Sequence, residues 1–127
     1  MRQMRRSWAK AVAMVAGLAV GAMVVPSPGH GELRSVFFPI KRIVCDRKAR
    51  ACYDYLGASV PLTRAHLGDD SATILERRIR KAGKSWDPTH FTLSNGVDCW
   101  TEKKVCYVRA GSEDVDRETT EALFGAH

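Results

Sequence analysis

Two pairs of cysteines, each with six residues between its members, divide this chain into two similar stretches. Residues 37–68 read FFPIKRIVCDRKARACYDYLGASVPLTRAHLG and residues 91–125 read FTLSNGVDCWTEKKVCYVRAGSEDVDRETTEALFG. A shift of 54 positions carries Phe37 onto Phe91, Cys45 onto Cys99, Cys52 onto Cys106 and Gly57 onto Gly111. A shift of 57 carries Thr63, Ala65 and Gly68 onto Thr120, Ala122 and Gly125. Self-similarity of this kind predicts one supersecondary unit used twice. It constrains architecture far more than chemistry.

Each stretch reads as a hairpin followed by a short helix. In the first, Val36, Phe37, Phe38, Ile40, Ile43 and Val44 form one β-prone run. The polar loop 46–50 follows, and the chain returns through Ala51, Cys52, Tyr53 and Tyr55. In the second, Phe91 and Leu93 precede the turn Ser94-Asn95-Gly96. Val97, Cys99 and Trp100 then lead through 101–104 to Val105, Cys106, Tyr107 and Val108. Apolar, β-branched and aromatic runs joined by charged turns are hairpin signals. Six intervening residues place two cysteines symmetrically about a four-residue loop. Directly opposed positions there bring Cβ atoms to about 4.5–5.5 Å, close to what a bridge needs. Three pairings of four cysteines are available. The hairpin geometry favours Cys45 with Cys52 and Cys99 with Cys106.

Helix signals follow each hairpin. Thr63 to Leu67, stopped by Gly68, is the first expected helix, and Asp116 to Phe124, capped by Asp116 and stopped by Gly125, is the last. The helix between them runs from Ala72 to Ala82, capped by Asp70 or Ser71 and ended by Gly83. It puts Ala72, Leu75, Ile79 and Ala82 on one face. The expected fold class is α+β: a small disulfide-stapled domain of two hairpin-plus-helix repeats, 37–68 and 91–125, joined by a helix. It spans residues 32–127.

The N-terminus reads as an export signal. Arg2, Arg5, Arg6 and Lys10 form a basic region, and Ala11 to Val25 is an uninterrupted apolar or small-residue run. That run is shorter than the roughly 18 apolar residues of a membrane span. Cleavage is expected near residues 29–31. Arg5-Arg6-Ser7-Trp8 also resembles a twin-arginine signal, although the general secretory route is the default expectation. No cysteine follows the run, which argues against a lipoprotein. Removing the segment changes the charge argument. The whole chain carries +6, but residues 1–31 hold four basic residues and no acidic ones. Most of the excess basicity leaves with them, so nucleic acid is not an expected partner. Charge in the remainder is uneven. Residues 32–84 hold 12 basic and 6 acidic residues, and residues 85–127 hold 4 basic and 8 acidic. Four cysteines in an exported chain of this size point to a small core held by bridges.

The residues then carry a resemblance. The aromatic-Pro run, the Val-Cys-Asp step, the second cysteine, the Gly-x-Ser and the Leu-Thr…Leu-Gly ending of 37–68 resemble the segment that defines the YcgJ family, also called the Fels prophage protein-like family. The stretch FTLSNGVDCWTEKKVC and the ending TTEALFG are similar to the second half of the same proteins. The resemblance covers nearly all of residues 36–125. It implies a small exported bacterial protein and supplies no catalytic or ligand-binding residues to transfer.

No motif for a nucleophile, a zinc protease helix or a phosphate loop occurs in the sequence. Six residues between cysteines in a hairpin do not make the Cys-x-x-Cys of a redox catalyst, and zinc knuckles need closer spacing. Neither a catalytic residue, a metal ligand nor a cofactor is therefore expected. The candidate binding surface is Arg47, Lys48 and Arg50 with Tyr53 and Trp100 as aromatic anchors. A second basic cluster comprises Arg77, Arg78, Arg80, Lys81 and Lys84. The leading expectation is a non-enzymatic periplasmic binding module whose partner is an envelope protein or an anionic envelope component. Membrane contact is expected only through the uncleaved signal. The alternatives are a small envelope enzyme or metal-handling protein using His66 and His90, and a self-associating structural protein.

Overall fold

A computed structural model describes residues 34–125. The expected signal segment and its cleavage site lie outside these residues. The first sheet is a four-stranded antiparallel meander of β1 (Val36–Phe37), β2 (Val44–Asp46), β3 (Ala51–Asp54) and β4 (Gly57–Ser59). Helices α1 (Val60–Leu67) and α2 (Asp69–Ala82) follow, then a 3-10 turn, Gly83–Ser85. The second sheet is a three-stranded meander of β5 (His90–Thr92), β6 (Asp98–Trp100) and β7 (Val105–Tyr107), and α3 (Arg117–Phe124) closes the described chain. The class is α+β.

Both hairpins have the register that the cysteine spacing predicts. Cys45 opposes Cys52 and Cys99 opposes Cys106, each pair bridged with Cα atoms 4.0 Å apart. Phe37 lies opposite Cys45 and Phe91 opposite Cys99 on the preceding strands. All four cysteines are fully buried. Each bridge closes a loop with a sequence separation of 7, short enough that its contribution is about 2–3 kcal/mol.

A threonine completes each bridged hairpin. The backbone N–H of Cys52 faces away from β2 and donates to the hydroxyl of Thr63 on α1 at 2.8 Å. That hydroxyl in turn donates to the carbonyl of Ser59. In the second unit the N–H of Cys106 donates to the hydroxyl of Thr120 on α3 at 2.9 Å. The hydroxyl occupies the place where another strand would supply an acceptor, so a strand end is satisfied inside the protein. Both threonines are buried. A β-branched side chain with a hydroxyl suits this position because it packs like valine while serving the backbone.

Three element boundaries differ from the sequence reading. The run Val36–Val44 is not one strand: the chain turns over Phe38–Ile43, with Arg42 at φ 70, and doubles back to pair β1 with β2. Helix α1 begins at Val60, three residues early, because Ser59 caps it by accepting from the N–H of Leu62 and Pro61 fits the first turn. Helix α2 begins at Asp69, so neither Asp70 nor Ser71 is its cap; Gly68 holds that position, and Asp69 and Asp70 lie in the first turn. Negative charge there complements the helix dipole without a side-chain cap. Strand β4 has no counterpart in the sequence reading, since Gly-Ala-Ser carries no strand signal. Helix α3 starts after Asp116, whose side chain accepts from the N–H of Thr119, as expected.

The two sheets turn opposite faces to the main core. In the first, α1 covers the bridge face, with Leu62 and Leu67 against Ile43, Cys45 and Cys52. Its other face carries Val44, Ala51 and Tyr53 into the main core with Leu75 of α2, Leu93, Val97 and Leu123 of α3. The second sheet contributes its bridge face, Cys99 and Cys106, to that same core. The joint is aromatic: the rings of Tyr53 and Phe91 stack with centroids 4.1 Å apart. It is also polar, through Asp46. This fully buried carboxylate accepts from the backbone N–H groups of Lys48 and Ala49 in its own loop and from the N–H and hydroxyl of Ser94 in the β5–β6 turn.

Candidate functional site

The loop between β2 and β3 carries Arg47, Lys48 and Arg50, and all three are exposed. A left-handed backbone at Arg50, φ 58, closes the loop. The Arg47 guanidinium lies 3.9 Å above the Phe37 ring, which holds the charge at the sheet edge. Helix α2 runs alongside. Arg78 donates through Nη1 to the carbonyl of Ala49, inside the loop, at 2.7 Å. That bond ties Arg78, one cation of the second basic cluster, to the loop that carries Arg47, Lys48 and Arg50.

The aromatic members of the expected surface are placed elsewhere. Tyr53 is 4% exposed and belongs to the core, so it offers no ring to a partner at the surface. Burial first, and the nearby Asp46 carboxylate second, push its hydroxyl pKa up to about 12 against an opposing pull from Arg78. The exposed apolar side chains near the first hairpin are Tyr55 and Leu56, in the β3–β4 turn, and Ile40. Trp100 is half-buried on the outer face of the second sheet. Residues there alternate away from the bridge, so His90, Thr92, Asp98, Trp100, Val105 and Tyr107 share one face.

That outer face is organised around Asp98. Its Oδ1 accepts from the hydroxyl of Thr92 at 2.6 Å and meets Nε2 of His90 at 2.7 Å, and its Oδ2 accepts from the indole N–H of Trp100 at 2.9 Å. The His90 and Trp100 rings stack with centroids 3.8 Å apart, and the Lys103 ammonium sits 5.1 Å from the Trp100 ring centre. Burial, the largest single influence, opposes ionisation of Asp98. The hydrogen bonds from Thr92, His90 and Trp100 together with the His90 charge outweigh it and hold the carboxyl below its ordinary value of 3.8. A depressed carboxyl stabilises the fold above its unfolded pKa, and that contribution is lost as pH falls through the folded value. The expected result is a loss of stability as pH drops below about 4, with a smaller acid-induced loss in Asp98→Asn. Urea titrations of both proteins between neutral and acid pH check this.

His90 is thus held by a carboxylate, the arrangement that orients a general base. No serine, threonine or cysteine side chain hydrogen-bonds to it among the described residues. His66 lies on α1, half-buried, while His90 lies on β5 with Asp98 as its partner. No group of three or more histidine, cysteine, aspartate or glutamate side chains able to hold a metal occurs among the described residues. None of their helices is long and apolar enough to cross a membrane.

The family model described as YcgJ protein matches residues 36–124, which span both bridged hairpins and helices α1, α2 and α3. The chain belongs to the YcgJ family. It is similar to the uncharacterized protein YcgJ of Escherichia coli strain K12, with 31% identity over 87 residues, covering 68% of this chain and 66% of that protein. No solved structure matches. For this YcgJ-family chain, two bridges with no free cysteine among the described residues suggest an oxidising, extracytoplasmic location.

Sequence reasoning singled out Trp100 and Tyr53 because each follows a cysteine and so faces away from a bridge. It did not single out Asp46 or Asp98, the carboxylates that organise each neighbourhood. The available signal was parity. Asp98 shares strand parity with His90, Thr92 and Trp100, and four hydrogen-bonding residue types on one sheet face suggest a network.

Proposed function

We propose that this YcgJ-family protein is exported through residues 1–31 to the periplasm and acts there as a non-enzymatic binding module for an anionic surface of the cell envelope. The observation that carries the reading is the Arg78–Ala49 hydrogen bond. It fixes Arg78 of α2 beside the loop that carries the exposed cations Arg47, Lys48 and Arg50. The bridge beneath the loop supports the reading, since cations on a fixed loop lose less conformational freedom on binding than cations on a mobile one. The apolar face of α2 is turned to the core through Ala72 and Leu75, which leaves its arginines to solvent.

The test uses vesicles of anionic phospholipid, with zwitterionic vesicles as control, and the protein as recovered after export. Each cation at such a surface contributes about 1 kcal/mol. Changing Arg47, Lys48 and Arg50 together to glutamate is therefore expected to weaken binding by about 100-fold or more. Wild-type binding is expected to fall steeply with added salt. Equal affinity of the wild type and the triple variant would remove the basic surface from the account.

A further inference from the structure

A cleft of about 250 Å³ lies where α2, the connection after it and β5 meet. Arg78, Tyr53, Trp86, Asp87, His90 and Thr92 are among the residues that line it. One feature there is unexplained by folding. Tyr53 is 4% exposed, and its hydroxyl has no hydrogen-bond partner among the described residues. Buried hydroxyls are ordinarily paired, and an unpaired one costs roughly 1–3 kcal/mol. Phenylalanine would stack on Phe91 equally well, so the hydroxyl is a liability unless something outside the chain meets it.

The other walls define what that something is. Arg78 uses Nη1 on the Ala49 carbonyl and has further N–H donors to offer. Arg78 and Tyr53 line the same cleft, and the Arg78 charge reaches the Tyr53 hydroxyl; a guanidinium and a phenolic hydroxyl together suit a carboxylate, which accepts from both. Trp86 and Phe91 give the cleft flat apolar walls. Asp87, whose Oδ1 accepts from the N–H and hydroxyl of Thr89, adds a negative charge that disfavours multiply charged anions. The volume is below the roughly 300–1,000 Å³ of common ligand sites, so the ligand is small. We propose that this cleft binds a small monocarboxylate carried on a flat apolar body. The site is separate from the loop cations of the preceding section, and the residue that tests it, Tyr53, is not one of them.

Benzoate is the probe, titrated into isotope-labelled protein as recovered after export and followed by amide and indole N–H resonances. Saturable shifts are expected at Trp86 and its neighbours. Tyr53→Phe is expected to weaken benzoate binding by roughly 10-fold or more, while the melting temperature of the free variant stays level or rises because an unpaired hydroxyl has been removed. Arg109→Ala, an exposed cation outside the cleft, is expected to leave benzoate affinity unchanged. Absence of saturation, equal affinity of wild type and Tyr53→Phe, or a weakened response in Arg109→Ala would each overturn the site. So would a lower melting temperature in Tyr53→Phe, which would show that the hydroxyl already serves the fold. Inorganic phosphate binding as well as benzoate would overturn the ligand class.

Discussion

Gly57→Ala is expected to lower the unfolding free energy by about 3 kcal/mol or more, the largest effect expected of a glycine-to-alanine change among the described residues. Gly57 opens β4 with φ 110, a conformation that L side chains rarely adopt. A Cβ built there would run into the backbone carbonyl of Pro88, in the connection between α2 and β5. Backbone on both sides of the contact leaves no flexible side chain to move aside. Two elements 31 positions apart would have to separate, at the point where β4 meets β5. Gly111, the residue that a 54-position shift aligns with Gly57, supplies the control. Its φ is 81 and nothing lies within 4 Å of an added Cβ. Gly111→Ala is therefore expected to cost only the backbone strain, about 1–2 kcal/mol. Urea denaturation of the two variants side by side separates strain from collision. Equal losses would mean that the Gly57–Pro88 approach is not a fixed feature of the fold.

The second large effect is expected at Asp46. Asp46→Ala removes a fully buried carboxylate and leaves two donors on Ser94 and two backbone donors in the β2–β3 loop without their acceptor. The orphaned donors, which are part-buried, together with the lost packing make a cost of about 2–3 kcal/mol the expected outcome. The loss has a location as well as a size. Ser94 lies 48 positions away in the turn between β5 and β6, so the damage should reach the second sheet. Hydrogen exchange at the Ser94 amide is expected to accelerate more than global destabilisation explains. Asp46→Asn keeps the shape and one good acceptor, and is expected to recover about half of the loss. A destabilisation under 1 kcal/mol in Asp46→Ala would show that the carboxylate does not tie the two sheets together.

Much of the fold was legible in the sequence because local rules govern it. Six residues between cysteines across a charged loop specify register, and that register is found in both hairpins. The stops at Gly68, Gly83 and Gly125 were legible because glycine ends a helix by backbone chemistry alone. The boundaries that moved depend on wider context. Val60-Pro61 reads as extended chain until Ser59 is known to cap the helix. The span from Val36 to Val44 reads as one strand until Arg42 is known to turn the chain.

The candidate site was legible only in part, and the reason is long-range geometry. Alternation places Tyr53 and Trp100 on the faces opposite their bridges, but it does not say which face of a hairpin meets the core. The molecule uses opposite answers in its two halves. Tyr53 points inward because the first sheet is covered on both sides, and Trp100 lies half-buried on the outer face because only the bridge face of the second sheet joins the main core. Arg78 carried no signal beyond charge. Its role rests on a hydrogen bond to a carbonyl 29 positions away, which no local pattern announces.

The central claim is a small exported domain whose two hairpins are each closed by their own bridge. A non-reducing peptide map of the protein recovered from the periplasm, alkylated before digestion, tests it most directly. The account predicts a chain trimmed near residues 29–31, no alkylated cysteine, and two linked peptides, one joining Cys45 to Cys52 and the other Cys99 to Cys106. Cysteines that alkylate without reduction, or a bridge between the two halves, would contradict it.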